Sequence, residues 1–362
     1  MAAQASNITT IDENSDVEDT TSSVQPSRPK RASIAKDTLD KLKNGWYKSS
    51  DGSKINLTDD VTFTNNNSIL ILDDSTSSAS SFSADSDTLQ TKIEVQHCTT
   101  LEAARELVGE VGEDQIGVLN FASAKNPGGG FLGGAQAQEE SIARSSALYL
   151  AITQPQFMSG YYGYNRHGER GYYSHRMIYS PRVTIFKDDD GELLSQPYHV
   201  AILTVPAPNA GVIKDRIESR ITMEQRVKRL LYVFKAHKHD VLILGAFGCG
   251  VFRNNPFDVA MIFREQLESS EYRNSFKRII FAITNFEMCR IFKQVFNATD
   301  LLSIQKQIAT MSFDDSNTRH ASSNKQNKEK KKKVNQQRKQ KMQKNNNNVD
   351  FDENSELFYE LS

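Results

Sequence analysis

The chain has 362 residues, with 44 Lys and Arg against 45 Asp and Glu, so its formal net charge is −1 at pH 7. This balance alone indicates neither a nucleic acid nor a membrane as a partner. No apolar run approaches the roughly 18 residues of a membrane span, and Cys98, Cys249 and Cys289 lie far apart in sequence. We therefore expect a reducing intracellular compartment, nuclear or cytoplasmic, with no membrane partner, disulfide framework or zinc site.

Both ends of the chain lack the composition of a folded domain. Residues 1–28 are rich in Ser, Thr, Asp and Glu, and residues 306–362 are polar, with ten Lys or Arg between 325 and 344. Because neither end carries enough apolar surface to offset the entropy of ordering, we predict two disordered tails around one domain at 29–305. The Lys-rich run and the basic cluster Pro29-Lys30-Arg31 are predicted to be solvated. As alternatives, the run makes a weak nucleic-acid contact, and either one serves nuclear import.

The first helix is predicted over 33–47, where Ile34, Leu39, Leu42 and Trp46 fall on a broadly similar face. Trp46 is the single tryptophan, and we predict that it lies in the core.

Strands and helices alternate after this helix. Apolar and period-two runs predict strands at 67–74, 92–97, 117–122, 178–186, 198–205, 241–244 and 278–283. Helical periodicity predicts helices at 100–111, 141–152, 214–238, 256–269 and 286–296. The predicted core stripe of the longest helix consists of Ile217, Ile221, Val227, Leu230, Leu231 and Phe234. The alternation predicts an α/β fold, a sandwich with a mixed, mostly parallel sheet.

Two stretches interrupt this alternation. Residues 159–173 hold five tyrosines and four glycines with little periodicity. We call them the tyrosine-rich segment; they either cover a substrate or pack on the surface as a long connection. Asp188-Asp189-Asp190-Gly191 is similar to a cation-binding run, but it is more typical of a solvated turn.

The most informative stretch follows the predicted strand 117–122. The first glycine loop, residues 128–134, contains Gly128, Gly129 and Gly130, and seven residues separate these three from Gln138, Glu139 and Glu140. Consecutive glycines lose chain entropy without packing, so they indicate a backbone that approaches a ligand closely. A strand, a glycine loop and an acidic helix start form the usual layout of a ligand site at the edge of an α/β sheet.

A second glycine loop follows the predicted strand 241–244. It consists of Gly245, Ala246, Phe247, Gly248, Cys249, Gly250, Val251 and Phe252. Backbone NH groups in such a loop form a cradle for phosphate, although the glycines alone would also suit a tight strand-to-helix turn. The loop has neither the Gly-Lys-Ser/Thr of a Walker motif nor a GxGxxG fingerprint. Because no histidine is nearby in sequence, we predict that Cys249 packs and does not act as a nucleophile.

Three glycines, seven residues and Gln-Glu-Glu between a strand and a helix resemble the signature of the poly(ADP-ribose) glycohydrolases, a branch of the macrodomain fold. The flanking sequences, NFASAKNPGGG and AQEES, look most like those of the compact bacterial and fungal members. The resemblance covers about 31–302, including Gly45-Trp46-Tyr47 and Tyr179-Ser180-Pro181, and neither tail. It implies a three-layer α/β/α macrodomain-like sandwich and the partners poly(ADP-ribose) and ADP-ribosylated proteins. We expect a monomer without cofactor or metal that acts in reversal of ADP-ribosylation in the DNA damage response.

Glycoside cleavage needs a proton on the leaving oxygen and stabilisation of an oxocarbenium-like centre. Glu139 and Glu140 point roughly 100° apart on a helix start, so they cannot do the same job. The resemblance implies that Glu140 is the general acid, assisted by the substrate diphosphate, and that Glu139 binds ribose hydroxyls. The alternative is a helix N-terminus that favours acids through its dipole.

The resemblance also implies roles for other residues. Asn126 matches the ribose-binding asparagine and Gln138 the glutamine of the signature. The second glycine loop matches the one that holds the diphosphate. Phe252 matches an aromatic residue that orders the terminal ribose, with core packing as its alternative, and Asn209 is a candidate neighbour of the ligand.

The resemblance therefore implies hydrolysis of the ribose–ribose O-glycosidic bond of poly(ADP-ribose), mainly exo-type, with release of ADP-ribose. The alternatives are a module that binds ADP-ribose without cleaving it, a hydrolase of mono-ADP-ribosylated proteins, and an interaction protein whose basic tail binds nucleic acid. The complete Gln-Glu-Glu signature argues against a pure binding module. Internal cleavage stays open, because the chain lacks the accessory helical domain of the larger animal-type enzymes.

Overall fold

The computed structural model describes residues 26–73, 90–168 and 170–298. The predicted C-terminal tail, nearly all of the N-terminal tail and the Ser-rich stretch after residue 73 lie outside these residues. Two sheets are formed. A small one pairs β1 (Trp46–Lys48) with β2 (Lys54–Asn56). The main sheet has seven strands: β3 (Ile69–Ile71), β4 (Lys92–Gln96), β5 (Ile116–Phe121), β6 (Met177–Lys187), β7 (Leu193–Val205), β8 (Val241–Leu244) and β9 (Arg278–Ala282).

Ten α-helical segments connect and flank the strands in the described part of the chain. They are α1 (Arg28–Asn44), α2 (Thr58–Asn67), α3 (Thr100–Val111), α4 (Gln138–Ser145), α5 (Leu148–Ile152), α6 (Pro155–Phe157), α7 (Tyr164–His167), α8 (Arg216–Ala236), α9 (Pro256–Glu268) and α10 (Phe286–Asn297). A π-helical turn, Met158–Gly163, lies between α6 and α7. Helix α3 begins with the capping box formed by Thr99 and Glu102. Among the described residues, no helix is long and apolar enough to cross a membrane.

The order of the main sheet is β3-β6-β7-β5-β8-β9-β4. Strands β7, β5, β8, β9 and β4 pair in parallel, whereas β6 is antiparallel to both β7 and β3. The predicted mixed, mostly parallel sheet is therefore confirmed. Because only β6 runs in the opposite direction, the loops that follow the other strands and the loop that enters β6 all lie along one edge of the sheet.

Trp46 does not lie in the core, contrary to the prediction. It is 40% exposed, whereas its neighbour Tyr47 is buried and donates a hydrogen bond to the carbonyl oxygen of Leu194. Both residues belong to β1, where successive side chains point to opposite faces. Tyr47 takes the inward position, and Trp46 faces outward with Lys54 Nζ 4.6 Å from its ring centroid.

The predicted core stripe of α8 is wrong at its first turns. Ile217 is 75% exposed and Ile221 is also exposed, while the residues from Val227 onward are buried as predicted. The buried side of the first turns passes through Met223 and Arg226 instead. Hydrophobic periodicity does not predict this, because it assigns arginines such as Arg226 to the solvent side of a helix.

The segment from 141 to 173 also differs from prediction. The helix predicted at 141–152 is divided into α4 and α5, because Ser146 has an extended backbone that bridges to Ile185 of β6. The tyrosine-rich segment, predicted to be irregular, begins with the π-helical turn and α7. Tyr161 and Tyr162 are buried there, so part of the segment belongs to the core.

Candidate active site

The first glycine loop lies directly beneath the two glutamates of α4. Gly128 and Gly129 have φ of 67° and 60°, in the region that favours glycine. A Cβ on Gly129 would lie 2.2 Å from Oε1 of Glu140. The loop must therefore be bare backbone at this point, as the triple glycine predicted.

Glu139 is buried with one oxygen left for a ligand. The side chain is 3% exposed, and Oε2 accepts a hydrogen bond from the backbone NH of Ser123 at 2.7 Å. Burial, reinforced by the charge of Glu140, raises the pKa of Glu139 to about 8, although the bond from Ser123 opposes the shift. Oε1 has no hydrogen-bond partner among the described residues. A buried polar atom without a partner indicates a ligand or water that supplies one.

Glu140 occupies a different environment. It is half-buried, and its Oε1 accepts a hydrogen bond from the backbone NH of Gly130 at 2.9 Å. The carboxyl group thus rests on the floor of the first glycine loop and is in contact with solvent. The adjacent Gln138 faces inward: its amide accepts from the NH of Phe121 and donates to the carbonyl of Leu119, which ties the start of α4 to the end of β5.

Arginines hold the far side of the first glycine loop. Arg28 and Arg31 of α1 donate to the carbonyl oxygens of Gly133 and Gly134, each at 2.9 Å, and Arg144 of α4 donates to that of Ala135. The basic cluster at 29–31 is thus the first turn of α1, and Arg31 is half-buried against the loop. The prediction of a solvated linker is wrong there. Sequence reasoning missed this contact because about a hundred residues separate its two sides.

The second glycine loop is supported by apolar packing. The side chain of Phe247 is fully buried and lies 5.9 Å from Phe121 between ring centroids. Cys249 is buried as well, and burial raises the pKa of its thiol, in agreement with the predicted packing role. Gly248 has a φ of 71°, and a Cβ there would meet Ala207 at 2.5 Å.

The outer face of the second glycine loop is open. Gly250 and Val251 are exposed, and a Cβ on Gly250 would meet nothing within 4 Å. The inward-facing Phe247 and Cys249 therefore shape this loop, and its backbone is what the cleft presents to a ligand.

Phe252 and Asn209 connect three segments around the cleft. The ring of Phe252 lies 5.9 Å from that of Tyr173, and its carbonyl oxygen accepts from the NH of Gly211. The NH of Asn209 donates to the carbonyl of Gly171 at 2.7 Å. Tyr173 has a φ of 57°, which is unusual for a tyrosine. The tyrosine-rich segment thus forms a wall of the cleft and contacts the second glycine loop.

The buried side chain of Arg226 stabilises this wall from the interior of the protein. It is fully buried and donates to the carbonyl oxygens of Pro206, Tyr172 and Tyr173 and to Nδ1 of His175. Burial lowers its pKa to about 10. The sequence signal was an arginine on the apolar side of a long amphipathic helix, and it was overlooked.

An exposed aromatic residue marks the other end of the cleft. Phe286 follows β9 and is 65% exposed, and its ring lies 5.8 Å from that of His97, which follows β4. The Nε2 atom of His97 lies 3.0 Å from the carbonyl oxygen of Thr284. Sequence reasoning assigned no residue to the adenine and did not single out Phe286; the available signal was an aromatic residue directly after a buried strand at the loop edge.

Asn126 lies just before the first glycine loop and is exposed. The described residues contain no group of three or more His, Cys, Asp or Glu that could hold a metal ion. The Asp188–Asp190 run forms a turn, as predicted. Asp189 there accepts hydrogen bonds from Thr99 and from Ser141 of α4, both at 2.6 Å. Its carboxyl group thus positions the helix that carries the two glutamates.

The cleft combines a buried carboxyl group with a free oxygen, a second carboxyl group in contact with solvent, and two glycine loops that offer bare backbone.

A family model described as "Microbial-type PARG, catalytic domain" matches residues 35–188. The crystal structure of poly(ADP-ribose) glycohydrolase from Thermomonospora curvata is similar, with 37% identity over 74% of this chain and 100% of that chain and a TM-score of 0.68. The form of that enzyme bound to the inhibitor ADP-HPD is 36% identical over 74% of this chain and 99% of that one, with a TM-score of 0.67.

The Deinococcus radiodurans poly(ADP-ribose) glycohydrolase in complex with ADP-ribose is also similar, with 38% identity over 66% of this chain and 98% of that chain and a TM-score of 0.59. A comparison with curated protein sequences gives no match.

Proposed function

This chain belongs to the poly(ADP-ribose) glycohydrolases of the bacterial type, and from that membership we propose how its residues divide the reaction. It is a hydrolase that acts on poly(ADP-ribose). We propose that the bond cleaved is the ribose–ribose O-glycosidic bond, that Glu140 protonates the leaving oxygen, and that Glu139 holds the ribose of the unit released.

The different surroundings of the two glutamates carry this proposal. Glu139 has one oxygen fixed by Ser123 and the other buried without a partner, which suits a hydrogen bond to a ribose hydroxyl. Its raised pKa lets it donate that bond near neutral pH. Glu140 is in contact with solvent beside Gly129 and Gly130. There the departing glycosidic oxygen could take its proton, and a water that then enters could attack the anomeric carbon and return a proton to the carboxylate.

The remaining site residues divide between the two ends of the terminal unit. The open backbone of the second glycine loop would hold the diphosphate, in keeping with its bare outer face. Asn126 and Phe252 would contact the ribose, and Asn209 would border it. Phe286 would stack on the adenine, because its exposed ring stands on the same edge beyond that loop.

Release of ADP-ribose from poly(ADP-ribose) by wild type and by Glu140→Gln tests this assignment. We expect release to be abolished while ADP-ribose still binds, because glutamine keeps the shape of the side chain and cannot act as an acid. Glu139→Gln is the matched control and should weaken binding of ADP-ribose as well as turnover. If Glu140→Gln retained full turnover, or if wild type bound ADP-ribose tightly without releasing it from the polymer, the mechanism would be wrong.

We also propose exo-type trimming by a monomer whose single domain spans 29–305. The support is the resemblance to the compact branch, and the test is the length distribution of early products, since exo-type cleavage yields ADP-ribose before short oligomers. For the tails, the Lys-rich composition supports a salt-dependent contact with nucleic acid and nuclear import, whereas a role in the DNA damage response rests on the family resemblance alone. A chain truncated after residue 305 should keep its activity on free polymer and lose that contact.

A further inference from the structure

The strand order places the parts of the cleft in a line. Phe286 follows β9, the second glycine loop follows β8, and the two glutamates come after the first glycine loop, which follows β5. The neighbouring strands in the same direction are β7 and then β6. A terminal unit with its adenine at Phe286 would extend its diphosphate across the second glycine loop and its ribose to Glu139. The bond to be cleaved therefore faces the end of the sheet where the tyrosine-rich segment enters β6.

The chemistry of the polymer says what lies beyond that bond. This step rests on the proposed function. When the ribose–ribose bond is hydrolysed, the departing oxygen belongs to the 2′-hydroxyl of an adenosine in the next unit. That adenosine carries an adenine ring and a 5′-diphosphate. A surface that receives it needs an aromatic face and positive charge, the combination used to bind single-stranded nucleic acid.

Tyr164 of α7 supplies an aromatic surface at this end of the cleft. It is 45% exposed, and the guanidinium carbon of Arg176 lies 3.4 Å from its ring centroid. Arg176 is held in turn by Asp73 and by the carbonyl of Gly160. One face of the ring is therefore covered by a fixed cation, and a base can stack only on the opposite face.

Positive side chains follow this tyrosine along the same segment. Arg166 and Arg170 are exposed, and Arg166 donates a hydrogen bond to the carbonyl oxygen of Lys125. Lys125 directly precedes Asn126 at the entrance to the first glycine loop. This bond joins the tyrosine-rich segment to the side of the cleft that holds the two glutamates and places Arg166 next to Lys125. Arg170 follows four residues later in the same segment.

We propose that Tyr164, Arg166 and Arg170, together with Lys125, form a subsite for the adenosine diphosphate moiety of the next unit, which is the leaving group and stays with the polymer. Tyr164 stacks on the adenine of that unit, and the cations bind its diphosphate. The subsite would favour polymer over substrates whose leaving group is a simple alcohol, because only the polymer presents a base and phosphates on this side.

Two substrates separate this subsite from the reaction itself. One is the dimer of ADP-ribose. The other is the 4-nitrophenyl O-glycoside of ADP-ribose, in which 4-nitrophenol replaces the next unit at the same anomeric carbon, so it has no base or phosphate on the leaving side. We expect Tyr164→Ala to lower kcat/KM for the dimer about tenfold, within the range of one stacked base, and to leave kcat/KM for the nitrophenyl substrate unchanged. Tyr164→Phe, which keeps the ring, should behave as wild type on both.

Arg170→Ala should likewise lower kcat/KM for the dimer alone, by several-fold, and reduce its dependence on salt. Lys43→Ala is the matched control: it removes an exposed cation at the opposite end of α1 from the first glycine loop and should change neither substrate. An equal loss on both substrates with Tyr164→Ala, or a loss on neither, would overturn the subsite while leaving the hydrolase intact. Failure of wild type to cleave the dimer would overturn the proposed function, and the subsite with it.

Discussion

The two glycine loops lie at the same edge of the main sheet and are supported in opposite ways. The first is held by charged side chains: Arg28, Arg31 and Arg144 bind its carbonyl side, and Glu140 binds an NH. The second is held by buried side chains of its own, Phe247 and Cys249. A loop that holds the carboxyl groups of a neighbouring helix needs polar neighbours at fixed positions, whereas a loop that presents only backbone can be supported by the core.

Because the two loops are supported differently, we expect substitutions in them to have different consequences. Damage to the second glycine loop should appear mainly as lost stability, because its support is part of the hydrophobic core. Damage to the first should appear mainly as lost activity, because its support fixes groups around Glu139 and Glu140.

The largest effect is expected for Phe247→Ala. The ring is fully buried against Phe121, so its removal leaves a cavity and should cost about 4 kcal/mol of the free energy of unfolding. Chemical denaturation checks this. Phe247→Leu, which fills most of the volume, should cost less than half as much. A loss of activity with no loss of stability in the alanine variant would break the comparison between the loops.

Gly129→Ala should have the opposite effect and lower the activity more than the stability. A Cβ there would meet the Glu140 carboxylate at 2.2 Å, and φ is 60°, so the acid must move. A displacement of about 1 Å at a reacting group costs on the order of 100-fold in rate, or about 3 kcal/mol of transition-state stabilisation. Steady-state release of ADP-ribose measures it. Gly109→Ala in α3, where a Cβ meets nothing within 4 Å, is the control and should leave turnover unchanged.

The pH dependence of stability tests the environment of Glu139. Its pKa is raised from 4.5 to about 8 in the folded protein, so the folded state binds the proton more tightly than the unfolded state. The stability that this proton contributes is present at low pH. It is lost as pH rises from about 4.5 to about 8, with a limiting slope on the order of 1 kcal/mol per pH unit.

Glu139→Gln cannot titrate, so its free energy of unfolding should fall less than that of wild type over the same pH range. Glu192→Gln, in the exposed turn before β7, is the matched control and should follow wild type. Equal pH profiles for wild type and Glu139→Gln, measured by denaturant titration at several pH values, would show that Glu139 is ionised in the folded protein.

Local patterns were sufficient for the seven strands of the main sheet and for the two glycine loops. The strand Val241–Leu244 and the capped start of α3 were predicted correctly because periodicity and capping chemistry are local. The parallel sheet then brought both glycine loops to one edge. Short elements such as β1 and β2 were missed, since three residues carry too little pattern to distinguish a strand from a loop.

What the sequence could not predict is the set of contacts between distant segments. Arg226 reaches Pro206 and the tyrosine-rich segment, and Arg31 reaches Gly134, 103 residues away. In each case a charged residue binds a backbone carbonyl. Any residue has such a carbonyl, so the partner leaves no mark in the sequence. The supports of the site were hidden for this reason, while its acids and glycines were visible.

The smallest effect expected is that of Arg31→Ala, and it tests whether a support from α1 matters for catalysis. The substitution removes the half-buried bond to the carbonyl of Gly134 and should cost about 1 kcal/mol of stability. Because Gly134 is in the loop beneath Glu140, we expect kcat to fall about fivefold with KM little changed. Lys30→Ala, the exposed neighbour on the same turn, removes an equal charge without this bond and should change neither value. If the two variants behaved alike, the effect would be one of net charge, and the first glycine loop would not depend on α1.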